Sequence, residues 1–529
     1  MVERIIAAFK KNFAGFDVNI KAVVGDVTGP EGYKVSGEKT GKKIDAQIIY
    51  KSGHVVRYAL NDLLAFAKSE KNIFAYESAP DFPLRGVVEG FYGKPWSHEQ
   101  RLRAIEHFGD FNFNTYFIAP KDVPWQRFNW RQPFNDEFMK LMTELISKGD
   151  ENGIAVTACV SPGLSVKYSD LADVHAVISR FKQLYAAGSR HFSLLWDDIA
   201  WELQHQEDIE RFPSTAAAQA WFTNQVWDAM LAIDSNIQMT VCPMHYCGRG
   251  NEPYLVEIGP LLSARINLMW TGRDICSGYL DIADAVIFQR STLRPPLYWD
   301  NFPVNDGSMQ KNLYIGPLRN REVGLHKYSA GLLSNPMLQF EMSLFPLKTV
   351  GDYLWNSANY NPEDSWESAL TSLVADQPSR DALRNFMRCT MGSNVGGDPA
   401  PDLRQVFRRG VTAWRAGQLN EAASEFINES NAMKANAEFL ASGSFMYPDI
   451  YSEIQPWMEK YLLGAEALEA IGNALQRCTF NTKERRIEGS EEIIKDLESA
   501  VYKYSGSRKN MFGDQIDGPI NELIAELSA

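Results

Sequence analysis

Between Leu84 and about Pro336 the chain repeats one rhythm: a short apolar run, a polar or Gly/Pro stop, a stretch with apolar residues at helical spacing, then another apolar run. The runs are LRGVVEGF (84–91), NTYFIAP (114–120), GIAVTACVSPG (153–163), HFSLLWDD (191–198), IQMTVCPMHY (237–246), INLMWTG (266–272), RPPLYWDN (294–301) and KYSAGLLSNP (327–336). Amphipathic stretches such as SHEQRLRAIEHFG, NDEFMKLMTELISKG, LADVHAVISRFKQLYAAG and TAAAQAWFTNQVWDAMLAI lie between them. Strand-like runs alternating with helices, about eight of each over ~250 residues, predict a (β/α)8 barrel. The rival, a doubly wound open sheet, wants a Gly-rich loop after a strand, and no G-x-G-x-x-G follows any of these runs.

On either side the pattern changes. Up to about Ala79, β-branched runs (DVNIKAVV, and IDAQIIYKSGHVVRYAL with KSGH as a hairpin turn) and a helix-like LNDLLAFAKSE predict a small α+β domain. Ser78-Ala-Pro-Asp-Phe-Pro83 reads as a linker. Beyond about Asn361, PEDSWESALTSLVADQPSRDALRNFMRC, LRQVFRRGVTAWRAGQLNEAASEFINES, SEIQPWMEKYLLGAEALEAIGNALQRC and SEEIIKDLESAVYKY predict a helical bundle, interrupted by the Gly/Pro-rich MGSNVGGDPAPD. The expected organisation is an α/β protein: an α+β domain over 1–79, a (β/α)8 TIM barrel over 80–360 and a helical domain over 361–529.

Composition narrows the function classes. With 45% hydrophobic and 22% charged residues, the 529-residue chain can bury large cores, which excludes disorder. Its net charge of −13 gives no electrostatic reason to bind nucleic acid or an anionic membrane surface. No run approaches the ~20 apolar residues of a membrane span. MVERIIAAFKKNFAGFDV has too little apolar run for a signal peptide, so a cytoplasmic protein is expected. The six cysteines are scattered, which argues against a disulfide framework.

In a (β/α)8 barrel the active site forms at the C-terminal ends of the strands, so the polar residues that close each run are the candidates. In order they are Glu89-Gly90-Phe91-Tyr92, Lys121-Asp122, Ser161-Pro162-Gly163, Asp197-Asp198, His245-Tyr246, Thr271-Gly272-Arg273-Asp274, Trp299-Asp300-Asn301 and Asn335-Pro336. The Asp197-Asp198 pair would put two carboxylates in the barrel mouth. The plainer alternative is structural: one aspartate caps a helix beginning near Ala200, or pairs with Arg273 or Lys121.

If the pair hydrolyses a glycoside, adjacency constrains how. Two-carboxylate mechanisms need acids about 5 Å apart on opposite sides of the anomeric carbon, or about 6.5–9.5 Å apart, and neighbouring residues suit neither. They can serve adjacent atoms of one substrate, with one acid protonating the departing oxygen and the other holding a substrate group that attacks. A 2-acetamido sugar carries such a group. Strand-end aromatics (Tyr92, Trp196, Tyr246, Trp270, Trp299) suit a sugar, with Tyr246 and Trp299 the better candidates for contact and Trp196 and Trp270 for core packing. No metal site is expected: of eight histidines only His245 sits at a strand end, and the Cys242/Cys247 spacing is a weak zinc signal. No G-x-S-x-G elbow marks a serine hydrolase.

Taken together, Leu84-Arg-Gly-Val-Val-Glu-Gly-Phe-Tyr-Gly-Lys-Pro-Trp96, Ala119-Pro-Lys-Asp122, Trp196-Asp-Asp-Ile199, Cys242-Pro-Met-His-Tyr246, Trp270-Thr-Gly272, Trp299-Asp-Asn301 with Asp306, and Leu333-Ser-Asn-Pro336 resemble glycoside hydrolase family 84, the O-GlcNAcase-like β-N-acetylglucosaminidases. The resemblance implies retaining hydrolysis of terminal β-linked N-acetylglucosamine through an oxazoline, without cofactor or metal, on a glycoprotein, peptide or oligosaccharide. It implies that Asp197 accepts the acetamide N–H and that Asp198 is general acid and then base. An ionised Asp197 and a desolvated setting would raise the Asp198 pKa. Tyr246 would hold the acetamido oxygen and Asn301 would organise that group. Asp306, Asn335, Lys121 and the Gly90 backbone, in the Gly90-Phe91-Tyr92 segment, would hold sugar hydroxyls, and Trp299 would wall the pocket. His245, the Arg273-Asp274 pair and the prolines before Trp299 depart from the pattern and bear on leaving-group preference. Two other functions stay open: a hyaluronidase, and a non-catalytic sugar-binding or scaffold protein.

Overall fold

A computed structural model describes residues 2–29, 31–513 and 515–528. Contacts divide the chain into two units, one made of residues up to Val304 with Asn320–Leu338 and Val350–Asn361, the other of Asn305–Arg319, Gln339–Thr349 and Pro362 onward.

After an opening helix, Val2–Phe9, the first unit builds a four-stranded mixed sheet of β1 (Asp17–Val24), β2 (Tyr33–Thr40), β3 (Lys43–Tyr50) and β4 (Ile73–Ser78), in the order β1-β3-β2-β4. One expectation is corrected here. KSGH is not a hairpin turn; a 3-10 turn at Gly53–Val55 leads into a helix, Val56–Lys68, which absorbs the expected strand VVRYAL. Val56, Ala59, Leu60, Leu63, Phe66 and Ala67 are all buried at helical spacing, and this overrides the β-branched look of Val55-Val56. The hairpin is one strand earlier, where Thr40 pairs with Lys43 across Gly41 at φ +60°. Arg85, fully buried, ties this layer to the next strand: it donates to the Phe82 carbonyl (2.7 Å), the Asn112 carbonyl (2.9 Å) and Glu31 Oε2 (2.7 Å).

The barrel follows as β5 (Leu84–Glu89), β6 (Thr115–Ile118), β7 (Ala155–Ala158), β8 (His191–Leu195), β9 (Gln238–Cys242), β10 (Ile266–Trp270), β11 (Leu297–Asp300) and β12 (Gly331–Ser334). Each lies inside one of the eight apolar runs. They form a parallel sheet in the order β7-β6-β5-β12-β11-β10-β9-β8. The ends β7 and β8 meet through a single parallel bridge of Val160 to Leu194, with Val160 N–H donating to Ser193 (3.0 Å) and Leu195 N–H to Val160 (2.9 Å). Because helices cover the outer face and side chains fill the inner one, every strand is buried on both sides and reads as a continuous apolar run. A layer of Val88, Phe117, Cys159, Leu195, Cys242, Met269, Leu297 and Leu333 packs the interior.

His191 sits lower in the barrel, against Phe117 (ring centroids 4.7 Å apart) and 2.7 Å from Thr240 Oγ1. Burial pushes its imidazole down to about 3. The unfolded chain, with histidine near 6.5, therefore binds the extra proton between those values, so stability is full above about pH 6.5 and lost as the pH falls. Each pH unit in that window removes about 1.4 kcal/mol. We expect calorimetry to show a falling unfolding temperature from pH 7 to 4.5, with a shallower fall in His191→Gln; an unchanged slope in the variant would rule out this histidine as the cause.

The second unit is mostly helical: Pro362–Leu373, Gln377–Met387, Pro401–Arg415, Leu419–Ala441, Pro448–Arg477, Glu491–Ser505 and Asp517–Ser528, with a small hairpin of Thr479–Asn481 and Arg486–Glu488. The first predicted helix is two, because Asp376 caps the second by accepting the Ser379 N–H (2.9 Å). All six cysteines are free thiols, and among the described residues no helix is long and apolar enough to cross a membrane.

Candidate active site

The strand ends converge on Asp197 and Asp198. Asp197 is 6% exposed and its Oδ2 pairs with the Lys121 ammonium, which arrives from the end of β6. This is one of the structural pairings the sequence allows; the proposed helix near Ala200 is absent, and Arg273 is taken by Asp284. The other oxygen, Asp197 Oδ1, is buried and has no hydrogen-bond partner. A buried acceptor left unmade costs about 1–3 kcal/mol, which a ligand N–H would relieve.

Asp198 adopts a left-handed backbone, φ +55°, an uncommon conformation that aspartate tolerates better than most residues. Its carboxylate takes different partners from its neighbour's: Tyr92 Oη donates to Oδ2 (2.7 Å) and Tyr246 Oη to Oδ1 (2.8 Å). Here the expected pKa direction is corrected. Desolvation pulls the Asp198 carboxyl up, but the Tyr92 hydrogen bond, the Lys121 charge, the Tyr246 hydrogen bond and the Arg127 charge together outweigh it and hold it below the ordinary carboxylate range. Desolvation and the same carboxylate push both phenols up, so they remain donors.

A chain of amide hydrogen bonds rims the mouth from β5 to β10. Gly90 N–H donates to Asn335 Oδ1 (3.1 Å), and Asn335 Nδ2 donates to Asn301 Oδ1 (2.9 Å). Asn301 Oδ1 also accepts Trp299 Nε1–H (2.9 Å), and Asn301 Nδ2 reaches the Ile275 carbonyl (2.7 Å). Trp299 is thus fixed edge and face, with the Lys121 ammonium 5.1 Å from its ring centroid. Gly90 is required for space: a Cβ there would lie 2.6 Å from Trp299 Cη2. Gly90→Ala should therefore displace the indole, destabilise the barrel by about 1–3 kcal/mol and raise KM more than it lowers kcat. Retention of both the melting temperature and KM would show that the indole has room to move.

The remaining candidates separate. Phe91 is fully buried against Trp96 (6.1 Å), so it offers the site its backbone only. Trp196 and Trp270 are core residues, 0% exposed. Asp306 falls in the second unit, ahead of the 3-10 turn Gly307–Lys311. Asp300, in the strand-end run, is structural: Arg321 grips it with two hydrogen bonds (2.8 and 2.6 Å), both side chains buried. His245 stacks on Tyr254 (4.8 Å) and lies against the exposed Trp201 (4.5 Å). Arg127 was not a candidate, since it lies within a loop-like segment with no apolar run beside it. Among the described residues no group of three or more His, Cys, Asp and Glu is placed to hold a metal ion.

The family model for beta-N-acetylglucosaminidase (NAGidase) matches residues 85–388, more than half the chain. The chain belongs to this family, glycoside hydrolase family 84. Individual proteins extend the likeness. The proteins named Protein O-GlcNAcase of Rattus norvegicus and Mus musculus are each 33% identical over 284 residues, 53% of this chain and 30% of theirs. The chain therefore spans under a third of the length of these curated relatives. A mutant of the Thermobaculum terrenum O-GlcNAc hydrolase superposes with a TM-score of 0.77 at 29% identity, covering 84% of this chain and 95% of its own. CpGH84B shares the fold, with a TM-score of 0.78 at 24% identity over 94% of this chain and 87% of that one.

Proposed function

We propose that this protein is a retaining β-N-acetylglucosaminidase that removes terminal β-linked N-acetylglucosamine, from proteins in the first instance, with the substrate's acetamido carbonyl as nucleophile. The observation that carries this reading is the buried, unpartnered Asp197 Oδ1 beside an acid reached by two tyrosine hydroxyls. Asp197 Oδ1 accepts the acetamide N–H and orients the carbonyl oxygen toward the anomeric carbon. Lys121, on the opposite oxygen, fixes the carboxylate in that pose. Trp299, held by Asn301, walls the acetamide, while Gly90, Tyr92 and Asn335 are assigned to the sugar and its surroundings. The names of the rodent and Thermobaculum relatives support an O-linked N-acetylglucosamine substrate.

Asp198 then has to supply a proton it does not hold in the free protein. Substrate provides the means. When the Tyr246 hydroxyl turns to the acetamido oxygen, Asp198 loses one donor and the sugar excludes water, and both changes raise its pKa. The proton goes to the leaving oxygen as the carbonyl oxygen closes the ring as an oxazolinium, whose N–H stays hydrogen-bonded to the ionised Asp197; Asp198, now a carboxylate, takes a proton back from the water that opens it.

The test is hydrolysis of 4-nitrophenyl β-N-acetylglucosaminide, with and without EDTA and with a thiazoline analogue of the oxazoline. EDTA-insensitive turnover blocked by the thiazoline is expected. Folded protein without turnover, but active on hyaluronan or binding N-acetylglucosamine unchanged, would overturn it.

A further inference from the structure

Arg127 has no part in the mechanism above, yet it stands directly behind the acid. It closes the short helix Pro124–Arg127 that follows β6, and its side chain is buried. Nη1 donates to Tyr92 Oη (2.9 Å) and Nη2 to the backbone carbonyl of Asp198 (3.1 Å). Tyr92 in turn donates to Asp198 Oδ2. The four groups form a closed ring: carboxylate, phenol, guanidinium, and the carbonyl of the same aspartate. Among the described residues no carboxylate side chain pairs with Arg127. A buried guanidinium without a counter-ion is costly, and here its charge is directed through Tyr92 at Asp198.

Resting on the hydrolase reading, we propose that Arg127 is a positioning residue for the general acid: it pins the Tyr92 hydroxyl and the left-handed turn of Asp198 in one plane, and thereby aims the carboxyl at the leaving-group oxygen and tunes its hold on the proton. A planar fork can grip both acceptors at once; a lysine ammonium cannot do so in the same geometry. The charged and titratable groups facing Asp198 are Tyr92 after β5, Lys121 and Arg127 after β6, Asp197 on its own loop, and Cys242, Tyr246 and Cys247 from β9 and its loop. Arg127 and Lys121 favour the carboxylate, so removing Arg127 raises the Asp198 pKa.

The experiment compares Arg127→Met, Arg127→Lys and Tyr92→Phe with wild type on two aryl β-N-acetylglucosaminides, one with a 2,4-dinitrophenyl and one with a 4-methoxyphenyl leaving group. In Arg127→Met, kcat/KM on the methoxyphenyl substrate should fall at least about tenfold further than on the dinitrophenyl one, because only the former depends on proton donation. The alkaline limb of its pH profile should move up by about one pH unit. Arg127→Lys should keep the limb and lose the leaving-group ratio, and Tyr92→Phe combined with Arg127→Met should add little. Equal losses on both substrates with an unmoved limb would reduce Arg127 to a packing role and overturn the proposal. Arg127→Lys and Tyr92→Phe keep it testable if Arg127→Met fails to fold. An inactive wild type would count against the hydrolase reading instead, and the Asp198 carboxyl titration followed by 13C NMR would still decide this one: no rise in Arg127→Met overturns it.

Discussion

Asp198→Asn should lose about 10²- to 10⁴-fold in kcat/KM on glycosides with poor leaving groups and little on activated aryl glycosides. The asparagine keeps the size of the side chain and can still meet Tyr92 and Tyr246, so the loss isolates the proton. A dinitrophenolate departs without protonation, and kcat/KM reports only the steps through its departure; turnover itself should still fall, because water attack on the oxazoline needs the base. Asp197→Asn should behave differently. It removes the charge that faces the acetamide, strands the Lys121 ammonium, and should slow both kinds of substrate alike. The two profiles, measured over a series of substituted phenyl leaving groups, separate the roles of two adjacent aspartates. If both variants tolerated every substrate equally, neither role would stand.

Arg321→Met should be the most damaging change away from the mouth. Arg321 and Asp300 are 1% and 2% exposed at the side chain and joined by two hydrogen bonds, so the variant leaves a carboxylate buried without a partner. Breaking such a pair costs about 3–5 kcal/mol, whereas replacing both partners with apolar residues of similar size is often close to neutral. The expected result is a melting temperature lowered on the order of 5 °C or more for Arg321→Met, with much of it restored by adding Asp300→Leu. Because Asp300 lies between Trp299 and Asn301, the single variant should also lose activity at temperatures where it is still folded. A single variant as stable as wild type would show that the buried pair does not hold this strand end.

The eight strands were legible because burial on both faces leaves no polar alternation to confuse the pattern, and each run ends where the polar mouth begins. The runs overshoot the strands, as in residues 159–162 after β7, since residues beyond the last rung remain buried in the mouth. The Asp197-Asp198 pair stood out for the complementary reason, two charges where an apolar run stops. Contacts among strand ends were not legible. Lys121 meets Asp197 across 76 residues and Gly90 meets Asn335 across 245, and nothing local in either segment marks its partner. Nor was the charge state of Asp198, which depends on donors contributed by three separate loops. The error at Lys51–His54 had a local cause: a Gly-containing turn beside two valines satisfies the hairpin pattern, while the helical face only appears over the next three turns.

The barrel is closed between β7 and β8 by one bridge, Val160 to Leu194, and Leu194 lies three positions before Asp197. Elsewhere neighbouring strands share between two and five rungs, the fewest between β10 and β11. Slow amide exchange should therefore be graded around the ring, with the Val160 and Leu195 amides among the first of the barrel's to take up deuterium. Opening at that point moves the loop that carries both carboxylates while the other seams stay shut. Parting that seam costs two backbone hydrogen bonds, so the aspartate loop is the part of the mouth that moves most cheaply, and the barrel as a whole need not loosen.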